Sequence, residues 1–180
     1  MTFTELAIPG VWLIQPVRHS DDRGWFSERY TPGPFQERGL PAFIQDNEAM
    51  SIARGTVRGL HFQRAPFAQA KLVRCVAGAI HDVALDIRPG SSTFGRHVAV
   101  RLDAEAGAQL FIPEGFAHGY CTLEPHTLIH YKVSAPYAPQ HEGGVHWMDP
   151  ALGIDWPVRV ADATVAAKDV DLPRFAEAGL

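Results

Sequence analysis

Four side chains in this 180-residue chain join a type that could move a proton or hold an anion to a glycine-containing or apolar sequence setting. They are Arg58 and His61 in Arg58-Gly59-Leu60-His61-Phe62-Gln63, Lys71 in Ala70-Lys71-Leu72-Val73, and His118 in Ile112-Pro113-Glu114-Gly115-Phe116-Ala117-His118-Gly119. An imidazole with an ordinary pKa of about 6.5 suits proton abstraction at neutral pH, which makes His61 a candidate base; a strand histidine can equally be structural. Lys71 has apolar neighbours, so it is either an edge-strand side chain that snorkels to water or a charge aimed into a pocket. A guanidinium fork suits phosphate oxygens, which makes Arg58 a candidate anion ligand. His118 is either a satisfied histidine beside a turn or a donor to a polar ligand. Arg58 and His61 are three apart, an offset that an ideal strand sends to opposite faces. Gly59 between them reads as a bulge that resolves this conflict.

The elements that must carry these residues read as strands. Short runs of Val, Ile, Leu and aromatics recur between turn signals and predict strands over 11–15, 56–63, 71–76, 79–87, 96–101, 109–112, 119–123 and 128–133. In 79–87 the alternation puts Val83, Leu85 and Ile87 on one face and Asp82 and Asp86 on the other, so Asp82 is a possible partner for His61 or His118. Val76-Ala77-Gly78-Ala79 reads as a tight turn in which Gly78 supplies a positive φ. Helical signals are few, at 33–38, 161–168 and 173–180. Many short strands with little helix predict an all-β jelly-roll sandwich or barrel with a few short peripheral helices. A ligand then belongs in the mouth or interior of the barrel. Gly (16) and Pro (14) are spread along the chain rather than gathered in a linker, so 1–180 reads as one domain.

Composition narrows the function classes. Hydrophobic content of 46% and charged content of 20% are those of a soluble globular protein. A net charge of −4 gives no general attraction for nucleic acid, so an anionic ligand must be drawn by local Arg and Lys. Cys75 and Cys121 lie in apolar runs without metal-finger spacing and read as buried thiols of a reducing compartment. The first residues carry no basic and apolar leader pattern, and no run of about 18 apolar residues predicts a membrane span. The cytoplasm is the expected location.

Gly55-x5-His61 and Gly107-x5-Pro113-x-Gly115-x2-His118 resemble the two motifs of a cupin barrel whose metal site has been dismantled. A metal-binding cupin continues His-x-His with a Glu a few residues on. Here Gln63 takes the second position, and no Glu follows before Glu105. Two histidines without a carboxylate make a poor Zn or Fe site, so neither metal nor other cofactor is expected and the chemistry left is proton transfer.

A wider set of motifs carries a more specific resemblance. Asp22-Arg23-Gly24-Trp25-Phe26-Ser27-Glu28, Gln45-Asp46-Asn47, Arg58 to Gln63, Lys71-Leu72-Val73-Arg74, Ile112 to Gly119, Tyr131-Lys132 and Asp149-Pro150-Ala151-Leu152-Gly153-Ile154-Asp155-Trp156-Pro157 resemble, in order and spacing, the dTDP-4-dehydrorhamnose 3,5-epimerase family. The resemblance covers nearly the whole chain. It implies a cupin-type jelly roll, a homodimer, no metal, and conversion of dTDP-4-dehydro-6-deoxy-D-glucose to dTDP-4-dehydro-L-rhamnose, on the way to dTDP-L-rhamnose. The C3 and C5 protons of that sugar both lie α to the C4 carbonyl. Inversion therefore needs a base on one face, an acid on the other, and a group to hold the enolate oxygen.

By resemblance the base is His61, oriented by Asp169 in the manner of a catalytic triad. The acid is Tyr131, whose phenol, with a pKa near 10, keeps its proton at pH 7. Lys71 sits beside the sugar carbonyl and Arg58 at the diphosphate. Arg23, Phe26, Glu28, Gln45 and Asn47 match positions that touch the nucleotide, Tyr137 one that stacks on thymine, and Glu142 and Lys168 ones that contact nucleotide or sugar. His118 counts among the substrate contacts. Ala49 stands where the family usually has Ser, and Trp25 where Phe is commoner; His130, His141 and His146 fall outside the pattern. Three other readings stay open: a monoepimerase acting at C3 or C5 only, a metal-dependent cupin, and a non-catalytic sugar-nucleotide binder.

Overall fold

The computed structural model describes residues 1–180. In chain order the strands are β1 (Thr2–Glu5), β2 (Trp12–Gln15), β3 (His19–Asp21), β4 (Gly24–Phe26), β5 (Gln45–Ser51), β6 (Thr56–Gln63), β7 (Lys71–Ala77), β8 (Ala79–Asp86), β9 (His97–Asp103), β10 (Gln109–Ile112), β11 (Phe116–Thr122), β12 (Thr127–Val133), β13 (Glu142–Gly144) and β14 (Thr164–Val165). The helices are short, α1 (Pro32–Gln36) and α2 (Ala167–Val170). One sheet runs β1-β2-β10-β7-β12-β5 and the other β13-β6-β11-β8-β9, with β14 added in parallel to β6; β3 and β4 form a separate hairpin. Beyond β5 the chain passes repeatedly between the two sheets, which is the expected jelly roll.

Strand β8 explains much of the layering because both of its faces are buried. Ile80 and Ala84 pack inward with Val73, Leu110, Ile129 and Tyr120, while Val83 and Leu85 pack outward with Leu60, Trp147 and Trp156. Burying each large aliphatic side chain is worth roughly 1.5–3 kcal/mol, so these two clusters clamp β8 between them. Asp82 does lie opposite Val83 and Leu85, but that side is itself core, and its carboxylate is fully buried. The β7–β8 turn forms as expected. Gly78 has φ +75°, and a Cβ there would stand 2.5 Å from Thr127 Oγ1.

Three departures from the sequence expectation matter for the site. Residues 161–168 do not form one helix; a 3-10 turn covers Val160–Asp162, β14 covers Thr164–Val165, and α2 begins only at Ala167. The Thr164 N–H reaches Gly55 O at 3.0 Å and Val165 packs on the outer core, so sheet pairing overrides the local alanine preference for helix. Residues 173–180 hold only a 3-10 turn at Phe175–Glu177. There the Phe175 N–H donates to Asp149 Oδ2 at 2.6 Å, and its ring lies 5.0 Å from that of Phe94. Strand β5 was not expected because Gln45-Asp46-Asn47-Glu48-Ala49-Met50-Ser51 is polar; it is an edge strand paired only with β12. No helix is long and apolar enough to cross a membrane.

Candidate active site

A cavity of about 520 Å³ opens between the sheets, lined from β6, β7, β11 and β12 and from the β14–α2 segment. Its geometry starts with the irregularity in β6. His118 pairs with His61 and Tyr120 with Arg58, so three steps of β6 match two of β11. This is the bulge expected from the Arg58–His61 spacing, and it brings both side chains to the cavity. Gly59 makes it possible: its φ is +105°, and a Cβ would come within 2.5 Å of His118 O.

The Gly59 N–H donates to Asp169 Oδ2 at 3.1 Å, and His61 Nε2 lies 2.8 Å from Asp169 Oδ1. Asp169 is supplied by α2 and is 2% exposed. Burial alone would raise its pKa, but the His61 contact and the Gly59 N–H outweigh that and hold it below the usual carboxylate range. An ionised carboxylate only accepts, so Nε2 of His61 carries the proton and Nδ1 holds the free lone pair. An imidazole fixed this way is a base with its tautomer already chosen.

Lys71 opens β7 and Tyr131 faces the same cavity from β12. Burial lowers the Lys71 pKa to about 8, with Asp82 and Glu142 pulling the other way. Its Nζ has one long contact, 3.5 Å to His61 O. The Tyr131 hydroxyl is pushed above the ordinary phenol value, chiefly by burial, so it enters the cavity protonated. His118 Nε2 lies 2.7 Å from Asp82 Oδ1, which makes Asp82 the partner of His118 and not of His61. Burial lowers the His118 pKa against the pull of Asp82, so the ring is kept neutral and its remaining nitrogen accepts rather than donates.

A second cavity of about 260 Å³ shares His61, Lys71 and Tyr131 with the first and adds Gln45 and Asn47. Tyr137 and Glu142 line both; the Tyr137 hydroxyl donates to Glu142 Oε2 at 3.2 Å. Arg58 is tethered on β5 by donation to Met50 O at 2.9 Å and Ser51 Oγ at 3.4 Å, and Lys168 lines the larger cavity beside Asp169. The chain thus brings His61, Asp169, Lys71, Tyr131, Arg58, His118, Gln45, Asn47, Tyr137, Glu142 and Lys168 together. It does not bring Arg23, Phe26 or Glu28 there. Arg23 and Phe26 sit on the exposed β3–β4 hairpin and Glu28 just after it; Arg23 pairs with Asp21, and Phe26 is 70% exposed.

Sequence reasoning did not single out Tyr120 or Thr164–Ala166, which also line the cavity. Tyr120 was detectable, since period 2 places it on the face of His118. Nothing local announces the β14 segment, because its place comes from pairing with a strand more than 100 residues earlier. No group of three or more His, Cys, Asp or Glu side chains converges anywhere in the molecule.

Comparison with known proteins identifies the family. Residues 5–177 match the family model described as dTDP-4-dehydrorhamnose 3,5-epimerase. The protein of that name from Sinorhizobium fredii is 48% identical over 178 residues, covering 98% of this chain and 91% of the relative. The crystal structure of dTDP-4-dehydrorhamnose 3,5-epimerase from Elizabethkingia anophelis superposes with a TM-score of 0.94 at 39% identity, covering 98% of this chain and 97% of that one. The Legionella pneumophila enzyme in complex with dTDP-4-keto-L-rhamnose gives 0.89 at 37% identity, with 97% and 98% covered. A jelly roll matched over residues 5–177 by the family model and along almost its full length by these relatives places this chain in the dTDP-4-dehydrorhamnose 3,5-epimerase family.

Proposed function

We propose that this protein epimerises dTDP-4-dehydro-6-deoxy-D-glucose at C3 and C5 to give dTDP-4-dehydro-L-rhamnose, with His61 as base and Tyr131 as acid. The observation that carries the reading is the 2.8 Å His61–Asp169 contact on one sheet, across the cavity from Tyr131 on the other. His61 Nδ1 takes the proton from a carbon α to the C4 carbonyl, and the electron pair of that C–H bond moves to the carbonyl oxygen. Asp169 stabilises the imidazolium. The Lys71 ammonium, poorly solvated where it stands, faces the charge that develops on the enolate oxygen. Tyr131 then gives its proton to the opposite face of the carbon as the enolate returns to the ketone, and exchange with solvent reprotonates Tyr131 and removes the captured proton from His61. The second carbon follows the same course.

Arg58 and Lys168 are the cations for the diphosphate and Tyr137 is the platform for the base. Arg23, Phe26 and Glu28 lie off the cavity of their own chain, and Trp25 and Phe26 are exposed apolar surface on the same hairpin. We read this hairpin as reaching a second copy, in a homodimer in which each chain completes the nucleotide end of the other's site. The two free, buried thiols suit a reducing cytoplasm.

The test is proton NMR of the purified protein with the 4-keto sugar nucleotide in D2O containing EDTA. Deuterium at both C3 and C5 supports the assignment. Deuterium at a single carbon would make the enzyme a monoepimerase, and binding of dTDP without exchange would leave a sugar-nucleotide binder.

A further inference from the structure

Gln63 ends β6 with its side chain almost fully enclosed, 8% exposed, and every strong contact it makes is to backbone. Its amide nitrogen donates to Phe67 O at 2.6 Å and to Pro136 O at 3.1 Å. Its amide oxygen accepts the Ala138 N–H at 2.8 Å. Both amide protons and one oxygen lone pair are therefore committed, and the amide orientation is forced, because the reversed amide would set an oxygen against two carbonyls. Neither segment it joins has regular structure: residues 64–70 follow β6, and residues 134–138 lead from β12 to the 3-10 turn Pro139–His141. They also meet directly, Ser134 N–H on Ala70 O at 3.0 Å and Gln69 Nε2 on Ala135 O at 2.8 Å, but on that second segment only Gln63 holds the groups immediately flanking Tyr137.

The residue between the two clamped groups on the second segment is Tyr137. Pro136 offers its carbonyl and Ala138 its N–H to the same Gln63 amide, so the peptide units on both sides of Tyr137 are pinned. The Tyr137 N–H reaches Gln45 Oε1 at 3.3 Å, and its hydroxyl reaches Glu142 Oε2 at 3.2 Å. Yet the side chain is 56% exposed at the rim shared by the two cavities. An exposed aromatic normally explores several rotamers and loses that freedom on binding. Here a polar residue buried beneath it fixes the backbone that aims it.

We propose that Gln63 is a positioning residue that presents Tyr137 for stacking on the nucleobase of the substrate. This rests on the epimerase reading above. Gln63 borders the smaller cavity, but its amide protons and one oxygen lone pair are committed to backbone, so its role appears in nucleotide affinity rather than in proton transfer. The site thereby uses the position of a lost metal ligand for a different purpose, ordering the binding rim.

The test uses the full-length protein and three readouts: Kd for dTDP by calorimetry, KM against kcat, and deuterium exchange at saturating substrate. Gln63→Leu removes all three hydrogen bonds. It should raise Kd for dTDP and KM about tenfold, the scale of one base–aromatic stack, while kcat stays within about threefold and exchange continues at both carbons. In a double-mutant cycle, Gln63→Leu/Tyr137→Ala should bind dTDP no more weakly than Tyr137→Ala alone, because the two act as one unit. Losses that add, or a Gln63→Leu protein with unchanged Kd, would overturn the proposal. If Gln63→Leu does not fold, Gln63→Glu takes its place: it keeps the acceptor for Ala138 but sets an oxygen against Phe67 O and Pro136 O, and the same rise in Kd is expected. Wild-type protein without exchange would overturn the epimerase reading, while dTDP affinity and the cycle would still decide the role of Gln63.

Discussion

His61 and Asp169 lie 108 positions apart in the chain and meet at 2.8 Å, and the carboxylate that orients the base is far more buried than the base it serves. The arrangement makes Asp169 a tautomer selector. Asp169→Asn should keep the fold, because the amide oxygen can still accept the Gly59 N–H, but its NH2 would then favour the wrong His61 tautomer. A fall in kcat of roughly 10²–10⁴-fold is expected, with dTDP affinity unchanged. Steady-state kinetics beside calorimetry check this, and a kcat within tenfold of wild type would remove Asp169 from the mechanism.

Gly59 links that dyad to the strand. Alanine there must hold φ near +105° with its Cβ 2.5 Å from a backbone oxygen, and no flexible side chain can yield. Gly59→Ala should cost about 2–4 kcal/mol of stability and lose activity together with it. Thermal denaturation measures the first, and a Tm within 2 °C of wild type would contradict the close approach.

Lys71 gives opposite pH trends for activity and stability. Its pKa is about 8 in the fold and near 10.5 when unfolded, so between these values the unfolded chain binds more protons and stability from this group rises with pH. Activity should instead fall as pH passes about 8 and the ammonium that faces the enolate is lost. Lys71→Met should lower kcat by about 10²-fold and abolish this stability gain above pH 8. A pH series of denaturation midpoints for both proteins is the check.

Tyr131 separates abstraction from inversion. Tyr131→Phe keeps the His61–Asp169 pair, so solvent deuterium should still enter the substrate while net epimerisation drops by at least about 10²-fold. NMR resolves both in one sample. Normal epimerisation by the variant would move the acid role to another group.

Much of this protein was legible along the chain. Runs of Val, Ile, Leu and aromatics between turn signals marked β6, β7, β8 and β12 as strands, and period 2 in β8 set Asp82 opposite Val83 and Leu85. The bulge at Gly59 was legible too, because two polar side chains three apart had to share one cavity and a glycine lay between them. Strand β5 escaped because its inward residues, Gln45, Asn47 and Ala49, face a cavity rather than a core and so carry no apolar period.

The sequence by itself determined the jelly roll and the lack of a full set of metal ligands at the cupin positions, since each depends on side-chain type at short spacing, while the residues proposed for proton transfer came through the family resemblance. The resemblance pointed Asp169 at His61 but left Asp82 open between the two histidines, and only the tertiary structure decided that pairing. Asp82 goes to His118 through direct pairing of β8 and β11, and Asp169 reaches His61 because β14 adds to β6 and carries α2 to the bulge. Gln63 likewise drew notice in the sequence only as a missing ligand, and it became a clamp once two loops distant in the chain closed over it. Contacts across 36 to 108 residues follow from how strands pair and sheets pack, and no local pattern encodes them.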